Sequence, residues 1–324
     1  MRQYYLMILV AAFIATSAHA GTITVYAAGP RNLDHALTVA FEKATGNHVK
    51  LWASSTGKVL ARLQAEHSKP HADVVILADW SAGLVLQSQG IVAPYRPQRF
   101  FSKLRPLLKL PSSFLPMGAD TIAIVVNTQR LSKGQSIKDW SNLTNVAYRG
   151  QITMPSPLLS GTASDFVLGF LQQPNEGGWH FFAKLKANGT IWPGPNAAAL
   201  APVKFGSRSV LMAGVGHTSL KAKKRGNSLN LILPQSGTLL IPRPIIILKS
   251  SKHLVTAERF VDFVLSRAGQ QLVSKALLIP ALSDVRPNPI WPSLQHAHFW
   301  KVDWVRMAKD RAATLSRFNA TVIH

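Results

Sequence analysis

The sequence contains no cysteine, and this absence excludes disulfide bonds and thiolate metal sites. Acidic residues are scarce, since 14 aspartates and glutamates face 36 lysines and arginines and leave a net charge of +22. Catalytic signatures are also missing, because neither G-x-S-x-G nor H-E-x-x-H occurs and no carboxylates are paired at a useful spacing. The sequence therefore predicts a protein that is not an enzyme and that holds no metal ion or cofactor.

The first residues have the pattern of a secretory signal peptide. Arg2 supplies a positive charge, residues 4–15 form an uninterrupted apolar run, and residues 17–20 end in the small-x-small pattern Ser-Ala-His-Ala. A membrane span needs about 20 apolar residues, so we expect cleavage after Ala20 rather than anchoring. No later apolar run approaches that length, and the exported chain is expected to begin at Gly21.

The excess of positive charge raises the question of an anionic partner. Nucleic acid is disfavoured, because the basic residues are scattered and the densest cluster, residues 221–225, has no interleaved aromatic residues for base stacking. Two explanations remain open. A basic protein attracts anionic ligands and anionic membrane surfaces, and a protein with few carboxylates also suits acidic surroundings because it has few groups to protonate.

Strands and helices alternate along the first third of the chain. Strands are predicted at residues 22–27, 48–52 and 73–77, and helices at residues 32–45, 56–67 and 81–89. Such repeated units predict mainly parallel sheets that are flanked by helices. Since 324 residues exceed the usual size of one domain, two lobes are expected.

The division into lobes is predicted from two candidate crossing strands, residues 121–126 and 230–233. We expect one lobe to comprise residues 21–120 and 235–285, and the other to comprise residues 121–234 and 286–324. Two or more crossings permit hinge closure around a ligand. The last part of the chain, residues 299–318, has the pattern of an amphipathic helix that either packs against a lobe or lies on a membrane surface.

Polar loops at the points where a strand passes into a helix are candidate ligand sites, because free backbone N–H groups and the positive helix end face the crevice there. The first such loop carries Ser54, Ser55 and Thr56, which are more hydroxyls than one helix cap needs. The second repeats the arrangement in the other predicted lobe. Its candidate residues are Ser160, Gly161, Thr162 and Ala163.

Three further loops complete the predicted site. Their candidate residues are Ala28 and Gly29, then Asp79, and then His217, Thr218 and Ser219. Each has a structural alternative, since hydroxyls and aspartates cap helices and a lone histidine is usually structural. Hydroxyl-rich loops in both lobes nevertheless predict a ligand that is held between them.

The same segments resemble the bacterial extracellular solute-binding proteins of the ferric-iron, phosphonate and molybdate type. The resemblance spans roughly residues 21–282 and is carried by residues 22–28, 41–46, 72–75, 90–92, 138–140, 149–152, 160–163 and 258–263. It implies a type II periplasmic-binding-protein fold with two α/β lobes and a hinge. It also implies a periplasmic protein, expected to be a monomer, that delivers a small-molecule ligand to an inner-membrane ABC permease.

The resemblance also bears on the ligand. Ferric-binding members typically use adjacent tyrosines near residues 217–219 and a glutamate near Ala78, and this chain matches neither feature. Residues 53–56 are instead similar to the hydroxyl-rich loop of molybdate binders, and the chain as a whole looks nearer to members that take phosphonates or phosphorylated compounds. A phosphonate or phosphate ester is therefore the expected ligand. Ferric iron with a synergistic anion is the alternative within the family, and a secreted hydrolase is the alternative from another class.

Overall fold

The computed structural model of the protein describes residues 20–131, 136–292, 294 and 297–324. The predicted signal peptide therefore lies outside the described residues, apart from Ala20. The strands are β1 (Thr22–Ala27), β2 (His48–Ala53), β3 (Val74–Ile76), β4 (Val92–Ala93), β5 (Leu115–Asn127), β6 (Ile152–Thr153), β7 (Val210–Val215), β8 (Leu229–Ile232), β9 (Leu240–Leu248) and β10 (Ile279–Pro280). The helices are α1 (Arg31–Thr45), α2 (Thr56–Ala65), α3 (Trp80–Ser88), α4 (Gln98–Phe101), α5 (Gly161–Phe170), α6 (Gly178–Ala187), α7 (Asn196–Lys204), α8 (Gly216–Lys224), α9 (Leu254–Val264), α10 (Arg267–Lys275) and α11 (Trp304–Phe318).

The first sheet is built from the N-terminal strand–helix units. β1 pairs in parallel with β2 and β3, and β3 pairs antiparallel with β9. Because side chains alternate between the two faces of a strand, Ile23 and Val25 join the core beneath α1, whereas Tyr26 joins the core beneath α2 and α3. Helices therefore cover both faces of this sheet.

The second sheet has the same layered arrangement. β7 pairs in parallel with β6 and antiparallel with β5, which also pairs with β8. Ile122 and Ile124 of β5 face a core formed with α5 and α6, whereas Val125 faces α7. Each lobe thus has its own hydrophobic core.

The long strand β5 belongs to both sheets. Its first half pairs with β9 as far as Thr121, and its second half pairs with β7 and β8 from Ile122 onward. The chain returns between β8 and β9, where Leu239 O accepts a hydrogen bond of 3.2 Å from the Ile122 N–H. Two adjacent crossings give the lobes the narrow connection that hinge motion needs.

The C-terminal helix α11 packs against both lobes, through α3 of the first and α5 of the second. Met307 and Phe318 join the core of the second lobe, and Ala308 lies against a cluster of the first. Val285 and Trp291, in contrast, pack into the core of the first lobe. The predicted boundaries of the lobes, including the assignment of residues 286–324, stay a prediction.

Two features of the fold differ from the expectation. The sheets are mixed rather than mainly parallel, because β5, which passes between the lobes, and β9, which follows the return crossing, are antiparallel to their neighbours. The sequence also did not predict helices α4, α7 and α10. Helix α7 carries Pro202 in its interior, where proline disfavours a helix. None of the helices in the described ranges is both long enough and apolar enough to cross a membrane.

Candidate ligand-binding site

A cavity of about 330 Å³ lies between the lobes and receives the N-terminal ends of five helices. Helices α1 and α2 approach from the first lobe, and α5, α7 and α8 approach from the second. Each helix start carries N–H groups that have no partner within the helix, and a partial positive charge. The first turns of α2, α5, α7 and α8 contain no acidic residue that would offset this charge.

Most of the predicted site residues meet at this cavity. Those that line it are Ala28, Gly29, Ser54, Ser55, Thr56, Ser160, Gly161, His217 and Thr218. The remaining predicted residues lie behind the wall. They are Asp79, Thr162, Ala163 and Ser219.

The start of α2 separates two hydroxyls that looked equivalent in the sequence. Thr56 is buried, and its Oγ1 accepts a hydrogen bond of 3.2 Å from the Ala78 N–H, which ties α2 to the end of β3. Ser55 occupies the N-cap position but makes no side-chain capping bond. Its half-buried hydroxyl is therefore available to a ligand in the cavity.

The start of α5 behaves differently, because its hydroxyls bond within the protein. Ser160 Oγ accepts from the Ala163 N–H at 3.2 Å and donates to Asn196 Oδ1 at 2.9 Å. The fully buried Thr162 Oγ1 accepts from Asn196 Nδ2 at 3.1 Å. These bonds join α5 to α7, so the capping alternative describes Ser160, and Thr162 holds Asn196 in place.

His217 is oriented by a fully buried carboxylate. Its ring Nδ1 contacts Asp120 Oδ2, and its backbone N–H donates to Asp120 Oδ1 at 3.2 Å. Nε2 lies 3.0 Å from Thr218 Oγ1, so the ring and this hydroxyl present one polar edge to the cavity. Ser219, the third residue predicted here, instead bonds back to Val215 O at 3.0 Å.

Arg243 is the main cavity residue that the sequence analysis missed. It lies in β9, is 2% exposed, and donates from Nη2 to Ala28 O. Burial lowers the pKa of its guanidinium, and the nearby carboxylates of Asp120, Asp34 and Asp79 oppose that shift. The signal was present in the sequence, since a charged residue interrupts the apolar run of residues 241–248.

Polar residues at the rim were also missed. Lys221 of α8 donates from Nζ to Asn32 Oδ1 of α1 at 2.9 Å, so this contact bridges the two lobes. Arg31 and Asn196 complete the polar lining. None of the described residues lining the cavity is an aspartate or glutamate, and arginine, lysine and histidine supply the ionisable groups.

The described tyrosines lie away from this cavity. Tyr26 donates to Glu66 at 2.9 Å, Tyr95 donates to Asp262 at 2.8 Å, and the Tyr148 hydroxyl lies 3.3 Å from Ser136 O. Within the described ranges, no group of three histidine or acidic side chains is arranged to hold a metal ion.

Comparisons with known proteins define the class to which this fold and cavity belong. Residues 69–309 match the family described as bacterial extracellular solute-binding protein. A probable ABC transporter periplasmic-binding protein of Sinorhizobium fredii is 28% identical over 267 residues, which cover 79% of this chain and 72% of the relative. A putative 2-aminoethylphosphonate-binding periplasmic protein of Salmonella typhimurium is 21% identical over 86% of this chain and 85% of its own.

A solved structure shares the fold. The periplasmic binding protein AfuA from Actinobacillus pleuropneumoniae, described with fructose-6-phosphate bound, superposes with a TM-score of 0.87 at 22% identity and covers 93% of this chain and 98% of its own. The major ferric iron-binding protein of Neisseria meningitidis serogroup A is also a relative, 23% identical over 82% of each chain.

The chain belongs to the bacterial extracellular solute-binding proteins. This confirms the predicted family and the two-lobed type II fold. It also confirms the predicted class of function, a solute-binding component of an ABC import system rather than an enzyme. The relatives are periplasmic or extracellular proteins.

Proposed function

We propose that the protein binds a phosphonate or phosphate ester in this cavity and delivers it to an inner-membrane ABC permease. The observation that carries the proposal is the lining itself. Five helix N-termini and the side chains of Arg31, Lys221, Arg243 and His217 surround a space whose described lining contains no carboxylate. Such a lining favours an oxyanion, because helix starts and cations both stabilise negative charge.

The size of the cavity supports a small ligand. Its volume of about 330 Å³ is at the lower end of the roughly 300–1,000 Å³ that is usual for small-molecule sites. This space suits a phosphate or phosphonate group with a short organic part. The names of two similar proteins, one for 2-aminoethylphosphonate and one with fructose-6-phosphate bound, point to the same chemistry.

The proposal includes export. Residues 1–20 would act as a signal peptide that is cleaved after Ala20, and the protein would work in the periplasm. The apolar run of residues 4–15 supports this, as do the periplasmic names of relatives that match most of the chain.

Ferric iron is the competing ligand, because an iron-binding protein is among the relatives. Ferric ion is a hard cation that favours oxygen anions as ligands. Among the described residues the cavity lining offers hydroxyls and cations, so iron there would depend on an anion supplied from solution.

Two variants, Ser55→Ala and Thr162→Ala, test the site. Ser55→Ala should weaken binding roughly ten- to a hundredfold, because a hydrogen bond to a charged group is worth about 1.5–3 kcal/mol. It should leave the melting temperature unchanged, because Ser55 makes no capping bond. Thr162→Ala should lower the melting temperature, because it removes the buried partner of Asn196.

Calorimetric titration is the measurement, with 2-aminoethylphosphonate, fructose-6-phosphate, inorganic phosphate and ferric citrate as probes. Ser88→Ala is the matched control, since its exposed hydroxyl bonds only to Val85 O. Binding of ferric citrate alone, with a coloured complex, would replace the oxyanion proposal by the iron alternative. An unchanged affinity of the Ser55→Ala variant would show that the ligand does not bind at this cavity.

A further inference from the structure

A cluster of buried charges lies beside the cavity but outside its lining. Asp79 precedes α3 in the first lobe, Asp165 lies in α5 of the second lobe, and Arg311 lies in α11. Both aspartates are fully buried, and Arg311 is only 9% exposed. The cluster therefore draws one residue from each lobe and one from the C-terminal helix that packs against both.

The guanidinium of Arg311 reaches both carboxylates. Its Nη2 lies 2.8 Å from Asp79 Oδ2, and its Nη1 lies 3.8 Å from Asp165 Oδ1. Nη1 also donates to Ser81 Oγ at 2.8 Å, and that hydroxyl donates to Asp165. Asp165 Oδ2 in turn accepts a 2.7 Å hydrogen bond from the Trp80 N–H of the first lobe. The contacts form one continuous network between the lobes.

Charge balance makes this network depend on Arg311. Burial raises the pKa of Asp165, the neighbouring carboxylate of Asp79 raises it further, and Arg311 opposes both effects. Without the guanidinium, two carboxyl groups from opposite lobes would face each other away from water. A guanidinium can donate to several acceptors at once through its planar fork, whereas a lysine ammonium acts as a point charge.

The network also touches the ligand cavity. Asp79 lies directly against Gly161 at the start of α5, where an added Cβ would be 2.1 Å from Asp79 Oδ1. The same carboxylate opposes the effect of burial on Arg243, which lines the cavity. Asp79 is therefore shared between the cavity wall and the buried network.

We propose that Arg311 is a positioning residue that stabilises the arrangement seen here, in which the lobes contact each other, by bridging Asp79 and Asp165. The C-terminal helix α11 then links the two lobes, and the Arg311 guanidinium determines how readily the lobes separate. The proposal concerns the arrangement of the lobes and does not depend on the identity of the ligand.

The absence of native cysteines allows a direct test with spin labels. Ser68→Cys and Ala183→Cys introduce labels at exposed positions of the first and second lobe. Double electron–electron resonance then measures the distance between the lobes in ligand-free protein. We expect a short-distance population in the otherwise unchanged chain, its loss in Arg311→Met, and its partial recovery in Arg311→Lys.

Arg306→Met is the matched control on the same helix. Arg306 is exposed, and its side chain pairs only with Asp310 at 3.4 Å, so this variant should keep the short-distance population. Circular dichroism and thermal melts check folding. If Arg311→Met does not fold, Asp165→Asn replaces it, because that variant keeps the side-chain shape and removes the charge, and a smaller loss of the short-distance population is expected.

Three results would overturn the proposal. The first is a folded Arg311→Met variant whose inter-lobe distance distribution matches that of the parent chain. If Arg311→Met does not fold, the corresponding result is an Asp165→Asn variant with the distance distribution of the parent chain. The second is an equal effect of Arg306→Met, which would assign the change to the helix as a whole. The third is the lack of any short-distance population in the parent chain.

Discussion

At the residue scale, the burial of Asp34 limits the negative charge beneath the cavity. The residue is 2% exposed and lies against Gly29, where an added Cβ would be 2.2 Å from Asp34 Oδ1. Burial raises the pKa of Asp34 to about 7, although Arg243 lowers it. A carboxyl group that is partly neutral near pH 7 adds less negative charge beneath a site proposed for an anion.

This raised pKa predicts a pH-dependent stability. Between its unfolded value of 3.8 and its folded value of about 7, Asp34 binds more protons in the folded protein. Its stabilising contribution is therefore complete below this range and is lost as the pH rises through it, by about 4 kcal/mol in total. Asp34→Asn should flatten this part of the curve, as measured by urea unfolding at pH 4.5, 6 and 7.5.

Ser88→Ala provides the control for this measurement, because an exposed serine hydroxyl does not titrate in this range and its loss should leave the pH dependence of unfolding as it is. If the curves of the parent protein and Asp34→Asn run parallel across the range, Asp34 does not carry the effect.

At the element scale, the starts of α2 and α5 meet across the cleft through two glycines. A Cβ added at Gly57 would lie 2.7 Å from Leu158 O, and a Cβ added at Gly161 would lie 2.6 Å from Thr56 Oγ1. Neither position requires a left-handed backbone, so the small size of glycine matters here rather than its conformational freedom. Glycine lets the two helix starts approach closely enough to face one cavity.

Gly161→Ala should therefore keep the lobes apart while the helix itself stays intact, because alanine has the higher helix propensity. With labels at residues 68 and 183, we expect the short inter-lobe distance to disappear and the melting temperature to stay near that of the parent protein. Gly169→Ala in the same helix is the control, since its Cβ would meet methyl groups of Leu239 at 3.3 Å and Val302 at 3.6 Å rather than a carboxylate of the other lobe. A short distance that persists in Gly161→Ala would show that this contact does not limit closure.

At the scale of the whole molecule, the charge of +22 lies mainly on the surface. Six of the 14 acidic residues are buried, namely Asp34, Asp73, Asp79, Asp120, Asp165 and Glu176. Among the described basic residues, only Arg243 and Arg311 are buried. The charges exposed at the surface are therefore more positive in sum than the net charge implies, which suits an anionic ligand or an anionic surface.

This field predicts salt-dependent association with an anion. The association rate constant of an organophosphate ligand with the protein should fall roughly tenfold or more from low to high ionic strength, because screening removes long-range attraction. The dissociation rate should change far less. Stopped-flow tryptophan fluorescence measures both rates. Lys224→Glu, at the end of α8, should slow association more than Lys252→Glu, because Lys252 is an exposed residue of the first lobe. Equal association rates at all salt concentrations would exclude steering.

The sequence by itself determined the family, the alternation of strands and helices, and the loops that reach the cavity. These features depend on short-range patterns, namely the side-chain period, the residues at helix ends and the order of motifs along the chain. The hydroxyl-rich loops at residues 54–56 and 160–163 were therefore visible. The lobe boundaries and the monomeric state stay predictions.

Only the tertiary structure decided which polar residues face the cavity and which hold the wall. Ser55 and Thr56 are neighbours, yet one is available to a ligand and the other bonds to Ala78. The buried charges depend on partners that are distant along the chain, since Trp80 and Asp165 are 85 residues apart and Ser81 and Arg311 are 230 apart. A buried charge is stable only with such a partner, and a local pattern carries no information about groups that far away.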